Sequence, residues 1–179
     1  MWRHLSDSFW MGGSLRIFKV GFPNKVFIKE KDMNKVLFSS ERMDWETPNS
    51  LFNELNKEFN FTLDAASSDK NAKVKKHYTE RENGLIQNWG GETVWCNPPY
   101  GKELPKWIAK CAEEGKKENT TVVMLIPART DTKAFHEYIY GKSEVRFLRG
   151  RVKFVGAKNS APFPSMIVVF RGETNADNQ

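Results

Sequence analysis

The apolar residues Leu51, Phe52, Leu55 and Phe59 recur at helical spacing after Pro48. Thr47 is placed to cap that helix, with Pro48 at its first position. Residues 61–63 read as a short strand ending at Asp64, and 65–88 as irregular chain with a short helix near 72–78. A second strand is expected at 94–96. Residues 104–116 then form an amphipathic helix that turns Trp107, Ile108 and Cys111 inward. The run 121–126 is continuously apolar and rich in β-branched residues, which predicts a strand buried on both faces and closed by Pro127. A helix over 132–140, ended by Gly141, precedes three strands at 144–148, 151–155 and 166–170. Helices alternate with strands and strands then gather at the C-terminus. That order predicts an α/β sheet whose first strands are parallel and whose final hairpin is antiparallel.

The two ends carry no such pattern. Residues 1–32 have scattered aromatics and glycines without a sustained period, and are expected to lie outside the core. Lys29-Glu30 can be encoded by AAG-GAG, a ribosome-binding sequence correctly spaced before Met33, so translation is expected to start there; a real arm or short hairpin is the competing reading. Residues 33–172 form one domain, large enough to bury its own core, and 173–179 a polar tail.

Lys and Arg total 28 against 22 Asp and Glu, a net charge of +6 that leans toward a polyanionic partner. Thirteen Phe and six Trp suit base stacking and a compact core equally. Cys96 and Cys111 have no CxxC spacing, and with three histidines no metal site is expected. No apolar run is long enough to cross a membrane and residues 1–32 lack the layout of a signal peptide, which together predict a soluble protein in a reducing cytoplasm.

The chemistry concentrates behind the strand at 94–96, in Asn97-Pro98-Pro99-Tyr100. Two prolines remove two backbone donors and fix two φ angles, so the chain leaves the strand stiffly. The Asn97 side chain and the Pro98 carbonyl then become fixed acceptors beside an aromatic ring, a set that suits a planar amine. The tetrapeptide resembles that of the amino-methyltransferases, which use S-adenosylmethionine (SAM). That resemblance implies that Asn97 and Pro98 hold N6 of a flipped adenine, with Pro99 stiffening the turn and Tyr100 stacking on the base. The plain alternative is a proline turn with Tyr100 as a packing residue.

Further segments fall in order around it: Asp44-Trp45-Glu46-Thr47-Pro48, Leu63-Asp64-Ala65-Ala66, Asn83-Gly84-Leu85, Pro127-Ala128-Arg129-Thr130, Gly150-Arg151-Val152-Lys153-Phe154 and Ala161-Pro162. With these, residues 33–171 resemble the phage-type DNA N6-adenine methyltransferases (Dam). The resemblance implies a Rossmann-like SAM-dependent sheet, methylation of N6 of adenine in DNA by base flipping, a phage or prophage origin in a bacterial host, and protection against restriction. DNA and SAM are the implied partners, and oligomeric state is not readable.

Asp64-Ala65-Ala66 closes a strand where open α/β sheets gather ligands, and the Asp64 carboxylate suits the ammonium of SAM, although no Gly-x-Gly loop is present; a helix cap is the alternative. Trp45, Thr47 and Pro48 match the segment that covers the cofactor, or Trp45 is core. Asn83 stands where related enzymes carry Asp for the cofactor's adenine, and an Asn-Gly turn is an equal reading. Arg129 is a candidate for a phosphate or a cofactor carboxylate, with Asp131 pairing with it and Thr132 capping the next helix. Arg146, Arg149, Arg151, Lys153 and Lys158 make a candidate phosphate track on DNA, with a solvated face as its alternative. Two rivals remain: a protein glutamine methyltransferase, whose helical domain and glycine-rich loop are missing here, and a catalytically dead DNA-binding protein of the same fold.

Overall fold

The structure, a computed structural model, describes residues 45–172; the expectations for 1–32, Met33 and 173–179 lie outside them. Five strands form one sheet: β1 (Leu63–Asp64), β2 (Thr93–Cys96), β3 (Thr121–Pro127), β4 (Glu144–Phe147) and β5 (Ser165–Arg171). Their order is β1-β2-β3-β5-β4. The first three run parallel, and β5 is antiparallel to both β3 and β4. Helices α1 (Asn49–Phe59) and α2 (Leu104–Glu114) cover the two faces. This is the α/β sheet with an antiparallel C-terminal pair that the pattern predicts.

Side chains alternate across a sheet, so register assigns each face. Cys96, Met124 and Val168 share one row and one face, which packs on α2. There the chain passes so close that a Cβ on Gly115 would fall 2.4 Å from Cβ of Phe170. Trp95, Val123 and Val169 share the opposite face, where Phe52 of α1 meets the Trp95 ring edge-on at 5.7 Å. Strand β3 is paired along both edges and buried on both faces, as its unbroken apolar run requires.

The C-terminal strands differ from expectation. Residues 151–155 form no strand, because their backbone groups pair outside the sheet. They lie in a 148–164 loop that folds back over the sheet end. Val155 N–H donates to the Glu46 carbonyl (2.9 Å), and Ala161 N–H to that of Val152 (2.8 Å). The helix expected at 72–78 is also absent. Residues 73–76 bend, and the chain then passes along the outer edge of β1: Asp64 N–H donates to the Lys76 carbonyl (3.0 Å) and Tyr78 N–H to that of Asp64 (2.9 Å). An otherwise open strand edge is thereby covered. The helix expected at 132–140 is a short π-helical segment, Phe135–Ile139, ended before Gly141 at φ +69°. Its expected cap is present, since Thr132 Oγ1 accepts from Phe135 N–H at 3.3 Å. Helix α1 begins one residue later than expected, with Pro48 in the cap position and no side-chain cap, so Thr47 does not cap it. Among the described residues no helix is long and apolar enough to cross a membrane.

One buried ionic cluster ties α2 to the lead-in of β2. The Glu114 carboxylate, 4% exposed, accepts from Lys110 and Lys117, both at 2.6 Å. It also accepts from the buried Trp89 N–H at 2.8 Å. Burial works to raise the Glu114 pKa, but these three donors outweigh it and hold the carboxyl below its usual value. A depressed folded-state pKa stabilises the fold above the ordinary carboxylate range and is lost as pH falls through the lowered value. Glu114→Gln is expected to destabilise the protein by about 2 kcal/mol at neutral pH, since charged hydrogen bonds are lost and a buried N–H is weakened. Urea unfolding at pH 7 and at pH 3 checks this, the variant's deficit shrinking at the acid end.

Candidate active site

All of the parallel strands point their C-terminal ends the same way, and the tetrapeptide leaves β2 at that edge. Asn97 follows directly on Cys96, and its side chain is held from two directions. Its Nδ2 donates to the Trp45 carbonyl, in a segment 52 residues away. Its Oδ1 accepts from the Tyr100 hydroxyl at 2.7 Å, and that hydroxyl also lies 3.1 Å from the Leu125 carbonyl of β3. A backbone carbonyl can only accept, so it must face the amide nitrogen, and this fixes which end of Asn97 is turned toward Tyr100. Burial, with Cys96 nearby, pushes the Tyr100 phenol well above its usual pKa, so it stays a donor. Pro98 is buried and Pro99 exposed.

The Tyr100 ring is not an open platform. It meets Phe154 at 6.1 Å and Phe163 at 5.7 Å, both edge-on, and is 6% exposed. Trp45 closes the group, 5.1 Å from Phe154 and 5.5 Å from Phe163. A base could reach the face of Tyr100 only where the 148–164 loop draws these rings back.

At the end of β1, Asp64 is buried. Its carboxylate accepts from the Lys73 N–H at 2.9 Å and the Ala66 N–H at 3.4 Å. Burial raises its pKa, with those donors pulling the other way. Lys73 joins this loop to the segment before α1, its ammonium bonding Glu46 (3.3 Å) and Asn49 (2.8 Å). Thr47, beside Glu46, is buried with no partner for its hydroxyl among the described residues, and the Ser67 hydroxyl just beyond Ala66 is buried in the same condition. Two unsatisfied hydroxyls and a carboxylate whose charge burial disfavours fit a bound group bearing an ammonium and a carboxylate, the methionine end of SAM. Ala65 is sealed: a Cβ on Gly84 would fall 2.2 Å from its carbonyl oxygen. Asn83 adopts a left-handed φ of 53° and its Oδ1 accepts from Leu85 N–H at 3.2 Å, which is Asn-Gly turn chemistry. One lone pair of that oxygen serves the turn.

The basic residues divide. Arg146 sits in a fork on Glu58 of α1, both bonds 2.6 Å, and bonds Glu144 at 2.5 Å. Those carboxylates raise its pKa further, and their charges balance that of the guanidinium. Arg146 thus ties β4 to α1 at the surface, with its charge already balanced by two acids. Arg149, Arg151, Lys153 and Lys158 are exposed along the 148–164 loop without an ion pair among the described residues, and Arg129 is exposed at the end of β3, unpaired with Asp131. Sequence reasoning missed Ser67 and a third buried hydroxyl without a partner, Ser165. The available signal for Ser165 was a lone polar residue opening the apolar run to Phe170.

Residues 35–176 match the family model described as DNA N-6-adenine-methyltransferase (Dam). Over 103 residues the chain is 34% identical to a DNA N-6-adenine-methyltransferase of Escherichia phage T1, an alignment covering 56% of this chain and 42% of that protein. The chain therefore matches less than half the length of this relative. Among solved structures, a putative methyltransferase from Thermoplasma acidophilum aligns at 12% identity and a TM-score of 0.39, covering 72% of this chain and 66% of the other.

The double hold on Asn97 has a measurable consequence. Tyr100→Phe keeps the ring and removes the hydroxyl that bridges Asn97 and Leu125. A loss of about 1 kcal/mol in unfolding free energy is expected by denaturant titration.

Proposed function

Given that this chain belongs to the DNA N-6-adenine-methyltransferase (Dam) family, we propose that it methylates the exocyclic N6 of adenine in DNA with SAM as donor. The observation that carries this reading is the Asn97 amide, oriented by the Trp45 carbonyl so that its oxygen stands at the mouth of β2. An amide oxygen has two lone pairs. Asn97 Oδ1 can therefore keep the Tyr100 hydroxyl and still accept one N6 hydrogen, while the Pro98 carbonyl accepts the other. Catalysis is then largely orientation of the amine. SAM supplies a methyl group on a sulfonium, which is reactive without further activation.

The Asp64 carboxylate receives the cofactor's ammonium, which restores the charge that burial disfavours. Thr47 and Ser67 offer hydroxyls to its polar end, and Trp45, Pro48 and Ala66 supply the wall on that side. Asn83 shapes the loop beneath through its turn, and the second lone pair of its side-chain oxygen is left for the amino group of the cofactor's adenine.

The target adenine must leave the duplex, at a cost of roughly a few kcal/mol. Stacking against the rings of Tyr100, Phe154 and Phe163 offsets it by about 1–3 kcal/mol per base, once the loop admits the base. The same loop carries Arg149, Arg151, Lys153 and Lys158 on its outside, so closure on the base and contact with phosphates belong to one segment. Arg129 flanks them. A phage or prophage gene expressed in the host cytoplasm, marking DNA against restriction, is the setting this activity suits.

Asn97→Ala is expected to abolish methylation of unmodified plasmid DNA while leaving SAM affinity within about threefold, and Asp64→Ala to weaken SAM binding instead. Tritiated-methyl transfer and calorimetry of the two variants separate these roles; near-normal turnover by Asn97→Ala would overturn the assignment. For the basic loop, each phosphate contact contributes about 0.9 to the slope of log K against log salt on duplex DNA. Replacing Arg149 and Arg151 with Gln should flatten that slope by about 2 if both lie on phosphates, and leave the choice of adenine unchanged. Arg146→Gln should leave the slope as it was, since Glu58 and Glu144 already balance that charge.

A further inference from the structure

Ser165 opens β5 opposite Pro127 of β3. Its side chain is 1% exposed, and its hydroxyl has no hydrogen-bond partner among the described residues. A buried hydroxyl without a partner is uncommon, because it has given up water and gained nothing in return. The backbone gives no reason for a polar residue here: the Ser165 carbonyl accepts from Leu148 N–H (3.1 Å), and every other inward residue of β5 is apolar.

Register places the hydroxyl. Ser165 and Ile167 lie on the same face of β5, since residues two apart do. Ile167 pairs with both Leu125 and Arg146, and Arg146 bonds Glu58 of α1, so this is the α1 face. Trp95 lies on that face too, and Asn97, two residues on, continues it past the end of β2. Ser165 is thus on the same face and at the same end of the sheet as Asn97. It lies two strand spacings across and two residues further along, about 12 Å away. The sheet order puts Asp64 of β1 on the other side of Asn97. The cofactor residues therefore occupy one flank of the amide and Ser165 the opposite one. Phe163, two residues before Ser165, is in edge contact with Tyr100 at 5.7 Å.

We propose that Ser165 is a further substrate-positioning residue, whose hydroxyl hydrogen-bonds the heterocycle of the target adenine on the side away from the cofactor. Asn97 and Pro98 hold the amine, and Ser165 fixes the ring's rotation about that anchor. It is the one polar side chain of β5 buried on the base side, so it supplies what the apolar wall of Tyr100, Phe154 and Phe163 lacks, a directional contact. This inference rests on the adenine-methylating reading above.

The test compares the full chain with Ser165→Ala and Ser165→Cys, using unmethylated plasmid DNA and SAM. Ser165→Ala is expected to lower kcat/KM on DNA about tenfold or more, with SAM affinity unchanged and the melting temperature level or raised, because an unsatisfied buried hydroxyl is removed. Ser165→Cys preserves the shape and loses a strong hydrogen bond, so it should share the defect. Unaltered turnover in both variants would overturn the proposal, and so would full activity in Ser165→Cys alone. Weakened SAM binding would assign Ser165 to the cofactor and overturn it equally. If the parent chain itself transfers no methyl group to adenine in DNA, the proposed function fails and this inference with it; active parent and active variants together sink only the inference.

Discussion

Strand β3 is the constraint on which the rest of the molecule depends. From Val122 to Ile126 it carries no polar side chain on either face, so it is stable only when covered above and below and paired along both edges. Helix α2 supplies one cover and α1 the other, while β2 and β5 supply the edges. The two neighbours run in opposite senses relative to β3. The parallel one delivers the chain to the sheet end at Asn97, and the antiparallel one starts at that same end with Ser165. Burial of a single apolar strand thus brings two segments about seventy residues apart to one working edge.

That edge is built from weak elements. Strand β1 has only two residues, and its outer side is covered by irregular chain at 65–78. The 148–164 loop has few regular bonds and is held mainly by aromatic packing around Phe154. Regions with low contact density and exposed backbone open most readily. Rigid sheet and yielding loop thus meet at one edge, the first holding the amide and the second covering it.

Much of this is legible in the amino-acid sequence. The apolar run of β3, the helical spacing of α1 and α2, and the proline exit from β2 each follow from local rules, and all four are present, with only the helix ends shifted. The failures share one physical origin: competition for partners over long range. Val152 and Phe154 alternate like strand residues, but their carbonyls are taken by Ala161 and Ala157 within the loop. Residues 72–78 have a locally helical pattern, yet Asp64 and the edge of β1 offer their donors better partners. Arg146 belongs by sequence to a basic cluster, and Glu58 claims it. At the site, Asn97 and Tyr100 stand out through their motif. The mutual bond between them, the aromatic cover and the orphan hydroxyls of Ser67 and Ser165 depend on three-dimensional closure and leave little trace in sequence.

The hydrogen bonds around Asn97 also form a directed chain, from the Tyr100 hydroxyl to the amide oxygen and from the amide nitrogen to the Trp45 carbonyl. Bonds aligned this way polarise one another. Donation from Nδ2 shifts electron density toward Oδ1, which makes that oxygen a better acceptor for an amine than a free amide would offer. A carboxylate in its place would set negative oxygen against the Trp45 carbonyl and break the chain at its middle. Residue 97 therefore works as a relay of polarity, and an amide is the side-chain group of matching shape that can give at one end while it receives at the other.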